Sequence, residues 1–365
     1  MNTPYFMATN LVTLKRRIRQ RIEAGGPMPF EEFMRVALYD AEEGFFGSGE
    51  LKSQRAGDFL TSPEVSPLFG ETLAVYVNSE RGRIGEPFQV VEVGAGSGSL
   101  LRPLLGACPV EALAVEASPA ARRILSQLAP VSDRIPETVR GLIVANELVD
   151  NLPMALAQRL SGSWRERWVG VDGDALTFVD ADPRPEVVLW LDAHAGPVSD
   201  GGWVEVQLGA ADWLAGAIES LTAGSVVVID YGDTAENLLP RRQDGTLRTY
   251  RAHHLGPHPL EEPGKTDITA DVNFTALRSI AMGAGAEVEL HRQDDFLTML
   301  GLRDRLSRVR RAELEAARSS NEMERLRLRA LKTEAETLLH PRGLGDFRVL
   351  VVTKKGTVDE LGSVK

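Results

Sequence analysis

Short, unbroken apolar runs recur along this chain, separated by segments whose apolar residues return every three or four positions. The runs Phe88–Val93, Leu113–Glu116, Leu142–Ala145 and Ser225–Asp230 read as strands buried on both faces. Helical spacing marks Leu11, Leu14, Ile18 and Ile22, with Lys15, Arg16, Arg17, Arg19 and Arg21 on the other faces. Pro29-Phe30 opens a helix to about Tyr39, and Ser66-Pro67 opens another to about Ser79. Residues 154–208 read as β-rich, with strands at Ala155–Leu160, Trp168–Val171, Val187–Leu191 and Trp203–Leu208. A helix at Ala210–Leu221 precedes Ser225–Asp230, and residues 231–272 are polar and loop-like. Phe274–Ala284 is a helix, Ala286–Leu290 a strand and Phe347–Val352 a closing strand. Leu302–Leu339 is a long charged helical stretch that splits where Asn321 and Glu324 form a cap signal.

Strands alternating with helices predict an α/β fold with a mostly parallel sheet and helices on both faces. The boundaries follow the pattern: a helical cap at 1–85, then a Rossmann-like domain at 86–353. That domain carries the β-rich insertion 154–208 and a substrate-loop region at 231–272, and a flexible tail follows at 354–365.

The run Val90-Val91-Glu92-Val93-Gly94-Ala95-Gly96-Ser97-Gly98 carries the sharpest chemical signal. Glycines at a strand end let the backbone take positive φ and come close to a ligand, and the helix start behind them offers unpaired N–H groups. A dinucleotide loop wants glycine or alanine at the sixth position, where Ser99 stands. The spacing of Glu92, Gly94, Gly96 and Gly98 instead resembles the first motif of class I S-adenosylmethionine methyltransferases. Glu116 ends the next apolar strand, where an acid can accept hydrogen bonds from ribose hydroxyls. The alternatives are a flexible glycine turn without a ligand and an exposed loop acid.

Composition narrows the classes. With 365 residues, 43% of them hydrophobic, the chain can bury a sizeable core. A net charge of −11 argues against bulk nucleic-acid binding. Cys108 is the lone cysteine, which excludes an internal disulfide and a cysteine-based metal site. No apolar run reaches 18 residues, so no spanning helix or membrane insertion is expected. The basic N-terminal stripe reads as a packed helix with solvated arginines, the alternatives being a transit peptide or a membrane-surface element. His253, His254 and His258 cluster in a proline-rich loop without a suitable carboxylate spacing, so no metal is expected.

Four further segments are polar where a connection needs no such chemistry: Gly57–Glu71, Ala145–Pro153, Ile229–Gly232 and Gly264–Phe274. Together with the glycine loop, in this order, they resemble the MidA-like family of class I S-adenosylmethionine-dependent methyltransferases over about Phe33 to Val352. The resemblance implies a seven-stranded sheet whose last strand is antiparallel, and S-adenosylmethionine as cofactor. Mitochondrial members of the family are complex I assembly factors that symmetrically dimethylate an arginine. The expected partner is therefore a protein substrate, a respiratory complex I subunit among the candidates, in the cytoplasm of a bacterium or the mitochondrion of a eukaryote. Oligomeric state stays open, a homodimer included. One departure is Asp271, where many relatives read histidine.

Chemistry assigns candidate roles within this frame. Asn146 and Glu147 follow an apolar strand, at the edge where open α/β sheets bind ligands. Carboxylates hold a guanidinium in bidentate geometry, so Glu147, assisted by Asp150 or Asp58, is the candidate acceptor site. Asn146 and Asp150 would otherwise stabilise a turn. The resemblance adds Ser62, Pro63 and Glu64 to the cofactor pocket as a segment folded over it. Ser66 is expected only to cap its helix. Tyr231 either stacks on adenine, lines the acceptor channel or packs in the core. Asp267 and Asp271 either act in the site or cap the helix that follows. The rival readings are a nicotinamide-dependent oxidoreductase, a non-catalytic assembly factor with this fold and a small-molecule methyltransferase.

Overall fold

The computed structural model describes residues 13–48, 61–241, 243–251, 254–318 and 321–355. Its centre is a sheet of seven strands: β1 (Gln89–Val93), β2 (Glu111–Val115), β3 (Val131–Ser132), β4 (Val139–Asn146), β5 (Leu221–Asp230), β6 (Glu287–Arg292) and β7 (Arg348–Lys354). They lie in the order β6-β7-β5-β4-β1-β2-β3. Neighbours from β5 to β3 run parallel. β7 alone is antiparallel, to β5 on one side and β6 on the other. From β1 the chain winds outward to β2 and β3, then returns to β4 and β5 on the other side. The strand order thus reverses beside β1, which opens a crevice at the carboxyl ends of β1 and β4.

The central strands β1, β4 and β5 are mostly apolar and buried because both faces are covered, while the edge strand β6 alternates charged and apolar residues. Val90, Leu142, Val144, Val227 and Ile229 point to one face, against Leu68, Phe69 and Leu73 of helix Pro67–Ile84 and Leu101 and Leu104 of helix Leu101–Ala107. Val91, Val93, Ile143, Val226 and Val228 point to the other, against Leu214 and Ile218 of helix Leu208–Ser220 and Phe274 and Leu277 of helix Phe274–Gly283. Each such side chain contributes about 1.5–3 kcal/mol by leaving water.

A second sheet is built from the insertion strands Ala155–Leu160, Ser163–Asp172, Ala175–Ala181 and Trp203–Val206. The two-residue strand Met28–Pro29 joins its edge, Met28 opposite Val169. Helices Leu14–Gly25 and Phe30–Tyr39 pack there too, through Leu14, Ile18, Ile22, Phe33 and Leu38 against Met154, Leu156 and Val169. The basic stripe is the outside of that packing: Arg17 bonds Asp40 and Arg19 bonds Asp174. Helix Pro67–Ile84, by contrast, covers the central sheet.

The strand expected at Val187–Leu191 is part of helix Pro185–His194. An apolar run does not distinguish a buried strand from a helix. Here Pro185 sits in the first turn, and Val187, Trp190 and Leu191 bury one helical face. The segment 231–272, expected as loop, holds short strands. Gly232–Asp233 pairs with Val272–Asn273, and Arg248–Arg251 lies between His254–Leu255 and Asp267–Thr269. Strand Ala175–Ala181, edge strand β3 and helix Gln293–Met299 were not legible in the pattern. The charged stretch divides as expected, into Leu302–Arg318 and Glu322–Leu338, and Asn321 accepts the Glu324 N–H at 3.2 Å. Among the described residues no helix is long and apolar enough to cross a membrane.

Backbone packing of β4 on β5 sets one sharp requirement. Gly224 has φ 126°, and a Cβ there would overlap the Gly141 carbonyl oxygen. Gly224→Ala is expected to cost about 3 kcal/mol or more in urea unfolding. Gly106→Ala, in an exposed helical turn with open space around it, is expected to leave stability unchanged or raise it by about 0.5–1 kcal/mol.

Candidate active site

The crevice begins where β1 ends. Gly94, Gly96 and Gly98 all take positive φ, at 73°, 52° and 77°. The Gly94 N–H donates to Val115 O at 2.8 Å, tying the loop to β2. A Cβ on Gly94 would press Leu148 at 3.0 Å, and one on Gly98 would press Leu128 at 3.0 Å. A Cβ on Gly96 would meet nothing within 4 Å, so this glycine faces open space. Glu116 stands directly after β2. Its Oε2 accepts the Gly96 N–H at 2.9 Å and its Oε1 accepts the Ser118 N–H at 2.8 Å. Each oxygen keeps a further lone pair for a ligand hydroxyl. Glu92, one residue before the end of β1, is 4% exposed, and its Oε2 is buried without a partner among the described residues. Burial, and then the neighbouring Glu116, push its carboxyl up to about 8. A buried acceptor left open beside a cradle of glycine N–H groups suits a ligand rich in hydroxyl and amine donors.

The second wall begins where β4 ends. Glu147 takes a left-handed φ of 50°, a conformation that costs a non-glycine residue about 1 kcal/mol. Its N–H donates to Ile229 O at 2.8 Å, which fixes the turn against β5. Glu147 Oε1 accepts the Ser62 N–H at 3.3 Å and the Asn146 side-chain amide at 3.4 Å. Asn146 Oδ1 is buried without a partner among the described residues. Burial, then Asp150, with Glu64 a smaller cause, push the Glu147 carboxyl up to about 8.

The chain next makes a single turn, Val149–Asn151, held from beneath by Asp230. Asp230 Oδ2 accepts the N–H groups of Val149 (2.9 Å) and Asp150 (3.2 Å), and Oδ1 accepts that of Tyr231 (2.9 Å). Asp150 Oδ2 accepts from the hydroxyls of Thr269, at 2.6 Å, and of Tyr231. Asp150 Oδ1 is buried with no partner among the described residues. Asn151 donates to Asp267 Oδ1 at 2.8 Å, and the Tyr39 hydroxyl donates to Asn151 O at 3.2 Å. Burial, then Asp150, raise the Asp267 carboxyl to about 7. Six carboxyl groups therefore gather at this edge: Glu92, Glu116, Glu147, Asp150, Asp230 and Asp267. Among the described residues no Lys or Arg forms an ion pair with any of them.

Of the other sequence candidates, Asp58 lies outside the described residues. Ser62, Pro63 and Glu64 form the turn Ser62–Val65 against Glu147. Only the Ser62 backbone reaches it, because Ser62 Oγ is engaged by the Gln293 amide at 3.0 Å. Glu64 Oε2 accepts the Thr61 N–H at 3.3 Å in a capping box. Ser66 caps its helix through the Leu68 N–H at 3.1 Å and also donates to Glu334 at 2.7 Å. Neither Asp267 nor Asp271 caps helix Phe274–Gly283. Asn273 does, accepting the Ala276 N–H at 3.2 Å, while Asp271 pairs with Arg241. Tyr39, Thr269 and Gln293 were not singled out from the sequence. Thr269 lay inside a flagged polar segment, but nothing in the pattern connects Tyr39 or Gln293 to residues more than a hundred positions away. His253 lies outside the described residues. Among those described, no group of three or more His, Cys, Asp and Glu is arranged to hold a metal ion.

The raised carboxyls give a pH signature. With folded values near 8 and an unfolded value near 4.5, Glu92 and Glu147 hold extra protons in the folded state between those limits. The associated stability is complete below pH 4.5 and is lost as the pH rises through 8. Glu92→Gln is expected to match the wild type at pH 4.5 and to exceed it by about 1–3 kcal/mol at pH 9 in urea unfolding. A difference independent of pH would contradict the assignment.

Comparison with known proteins agrees with this geometry. The sequence profile of a family described as "Putative S-adenosyl-L-methionine-dependent methyltransferase" matches residues 72–291. A Xenopus tropicalis protein named protein arginine methyltransferase NDUFAF7, mitochondrial, is 30% identical over 346 residues, covering 82% of this chain and 78% of its own. The human protein of the same name is 27% identical over 350 residues, covering 82% and 76%. A Burkholderia thailandensis protein crystallised with S-adenosyl-homocysteine superposes with a TM-score of 0.83 at 28% identity, covering 94% of this chain and 92% of that one. With its seven-stranded sheet and its glycine loop in the expected places, the chain belongs to this family of S-adenosyl-L-methionine-dependent methyltransferases.

Proposed function

We propose that the protein methylates an arginine side chain of a partner protein. The observation that carries the reading is the pair Glu147 and Asp150. They lie at the carboxyl edge beside the glycine loop, and among the described residues they have no basic partner and one Asp150 oxygen has no donor. A guanidinium supplies five N–H donors and a fixed positive charge, which is the complement of that site. The names of the relatives as protein arginine methyltransferases support the same acceptor. Within this reading the substrate protein is a respiratory complex I subunit, and in a bacterial cell the reaction runs in the cytoplasm.

Cofactor binding falls to the first wall. Glu116 takes the ribose hydroxyls, the open face of Gly96 admits the ligand, and Gly94 and Gly98 shape the loop. Glu92 Oε2 and Asn146 Oδ1, unpaired among the described residues, are the acceptors for its remaining donors. The turn Ser62–Val65 covers the pocket on one side and helps to exclude water. Asp58 would assist from the same segment.

When bound, S-adenosyl-L-methionine supplies a methyl group on a sulfonium, and displacement by a nitrogen lone pair forms the N–C bond as the S–C bond breaks. The protein must align that nitrogen and take the proton it loses. Glu147 and Asp150 orient the guanidinium. Glu147, whose carboxyl burial and Asp150 push up to about 8, becomes anionic when the cation arrives. It then lies within reach of the acceptor as a proton acceptor.

The test uses labelled S-adenosyl-L-methionine with a protein extract of the source organism, scored as methylarginine by mass spectrometry. Glu147→Gln is expected to lower transfer by about 10³-fold or more while S-adenosyl-homocysteine binds within twofold of wild type. Glu116→Ala is expected to weaken that binding by about 10- to 100-fold. Full activity of Glu147→Gln, or label on a small metabolite alone, overturns the reading.

A further inference from the structure

Among the described residues Asp150 is held by one of its two oxygens only. Thr269 Oγ1 donates to Oδ2 at 2.6 Å and the Tyr231 hydroxyl donates to the same oxygen, with the two hydroxyls in contact. Oδ1 is left without a partner among the described residues. Each part of this arrangement is itself pinned. Tyr231 follows β5, its N–H bound by Asp230 at 2.9 Å and its ring edge-on to Phe347 at 5.7 Å. Thr269 ends the strand Asp267–Thr269 and is 1% exposed. The Ala270 N–H donates to Asp150 O at 3.2 Å, which docks that strand on the turn.

A carboxylate that accepts both hydroxyls on one oxygen cannot rotate without losing two hydrogen bonds. We propose that Tyr231 and Thr269 are positioning residues for methyl transfer, which hold Asp150 by Oδ2 so that Oδ1 receives an N–H of the acceptor guanidinium. This rests on the arginine reading of the site. Neither residue touches the acceptor; both act through Asp150. The role also fits where these residues lie in the sequence. Tyr231 and Thr269 belong to the two polar segments after β5 that the sequence flags, and they meet at a turn 80 to 120 positions earlier. The hydroxyl is what matters in each case, so the conservative change Thr269→Ser keeps the function.

The experiment compares Tyr231→Phe, Thr269→Val, Thr269→Ser and Asp150→Asn in the methylarginine assay at saturating S-adenosyl-L-methionine. Tyr231→Phe and Thr269→Val are each expected to lower kcat about 10-fold, with S-adenosyl-homocysteine affinity unchanged, while Thr269→Ser stays within twofold of wild type. A structural role for the threonine methyl would instead impair Thr269→Ser and spare Thr269→Val, which overturns the inference. Wild-type kcat in Tyr231→Phe overturns it too, and if that variant does not fold the Thr269 pair decides alone. Asp150→Asn separates the two layers. If it is inactive while Thr269→Val is not impaired, only the positioning role fails; if it is fully active, the arginine reading of Asp150 fails with it.

Discussion

A cluster of buried carboxyl groups with no Lys or Arg partner among the described residues is the constraint on which the rest of this structure depends. Six carboxyl groups are drawn to one sheet edge, and burial and mutual repulsion push Glu92, Glu147 and Asp267 to about 7 or 8. Such a cluster opposes folding wherever its members ionise. Backbone N–H groups and hydroxyls hold three of them in place: Gly96 and Ser118 for Glu116, Val149 and Asp150 for Asp230, Thr269 and Tyr231 for Asp150. These donors fix position without neutralising charge. Among the described residues no Lys or Arg pairs with these carboxyls, and the substrate class proposed here supplies a cation.

The surrounding architecture serves that edge. Parallel strands covered on both faces deliver the ends of β1, β2, β4 and β5 to one crevice, and the two sides of the reaction divide between them. β1 and β2 present the glycine loop and Glu116, while β4 and β5 present Glu147 and Asp230. The insertion sheet and the N-terminal helices form a separate packed layer that reaches the same place through Tyr39, whose hydroxyl bonds the Asn151 carbonyl. The left-handed conformation of Glu147 is where strand geometry yields to the site, as strained residues at ligand edges commonly do.

Much of this was legible in the sequence, for identifiable reasons. Each of these core strands contains a run too apolar to be anything but buried, so β1, β2, β4, β5 and β7 stand out within four residues at each end. The glycine spacing and the two acids at strand ends follow from local backbone demands and need no tertiary knowledge. What escaped was decided by packing. The run at 187–191 becomes helical because its buried face is Val187, Trp190 and Leu191, which an unbroken apolar stretch does not reveal. The capping role open to Asp267 and Asp271 went to Asn273, and Asp267 instead meets Asn151, a contact between segments 116 positions apart. Tyr39 and Gln293 enter the site only through the fold, from helices whose sequences look like ordinary packing elements.

The most direct measurement is proton release when a guanidinium enters the cleft. Calorimetric titration of arginine amide into the protein saturated with S-adenosyl-homocysteine, at pH 7 in buffers of different ionisation enthalpy, reads it without turnover. A carboxyl raised to about 8 holds its proton at that pH and must give it up to pair with the cation, so net proton release on guanidinium binding is expected. Binding with no release, or with uptake, would contradict the claim that an unbalanced carboxyl cluster at the sheet edge is the arginine site.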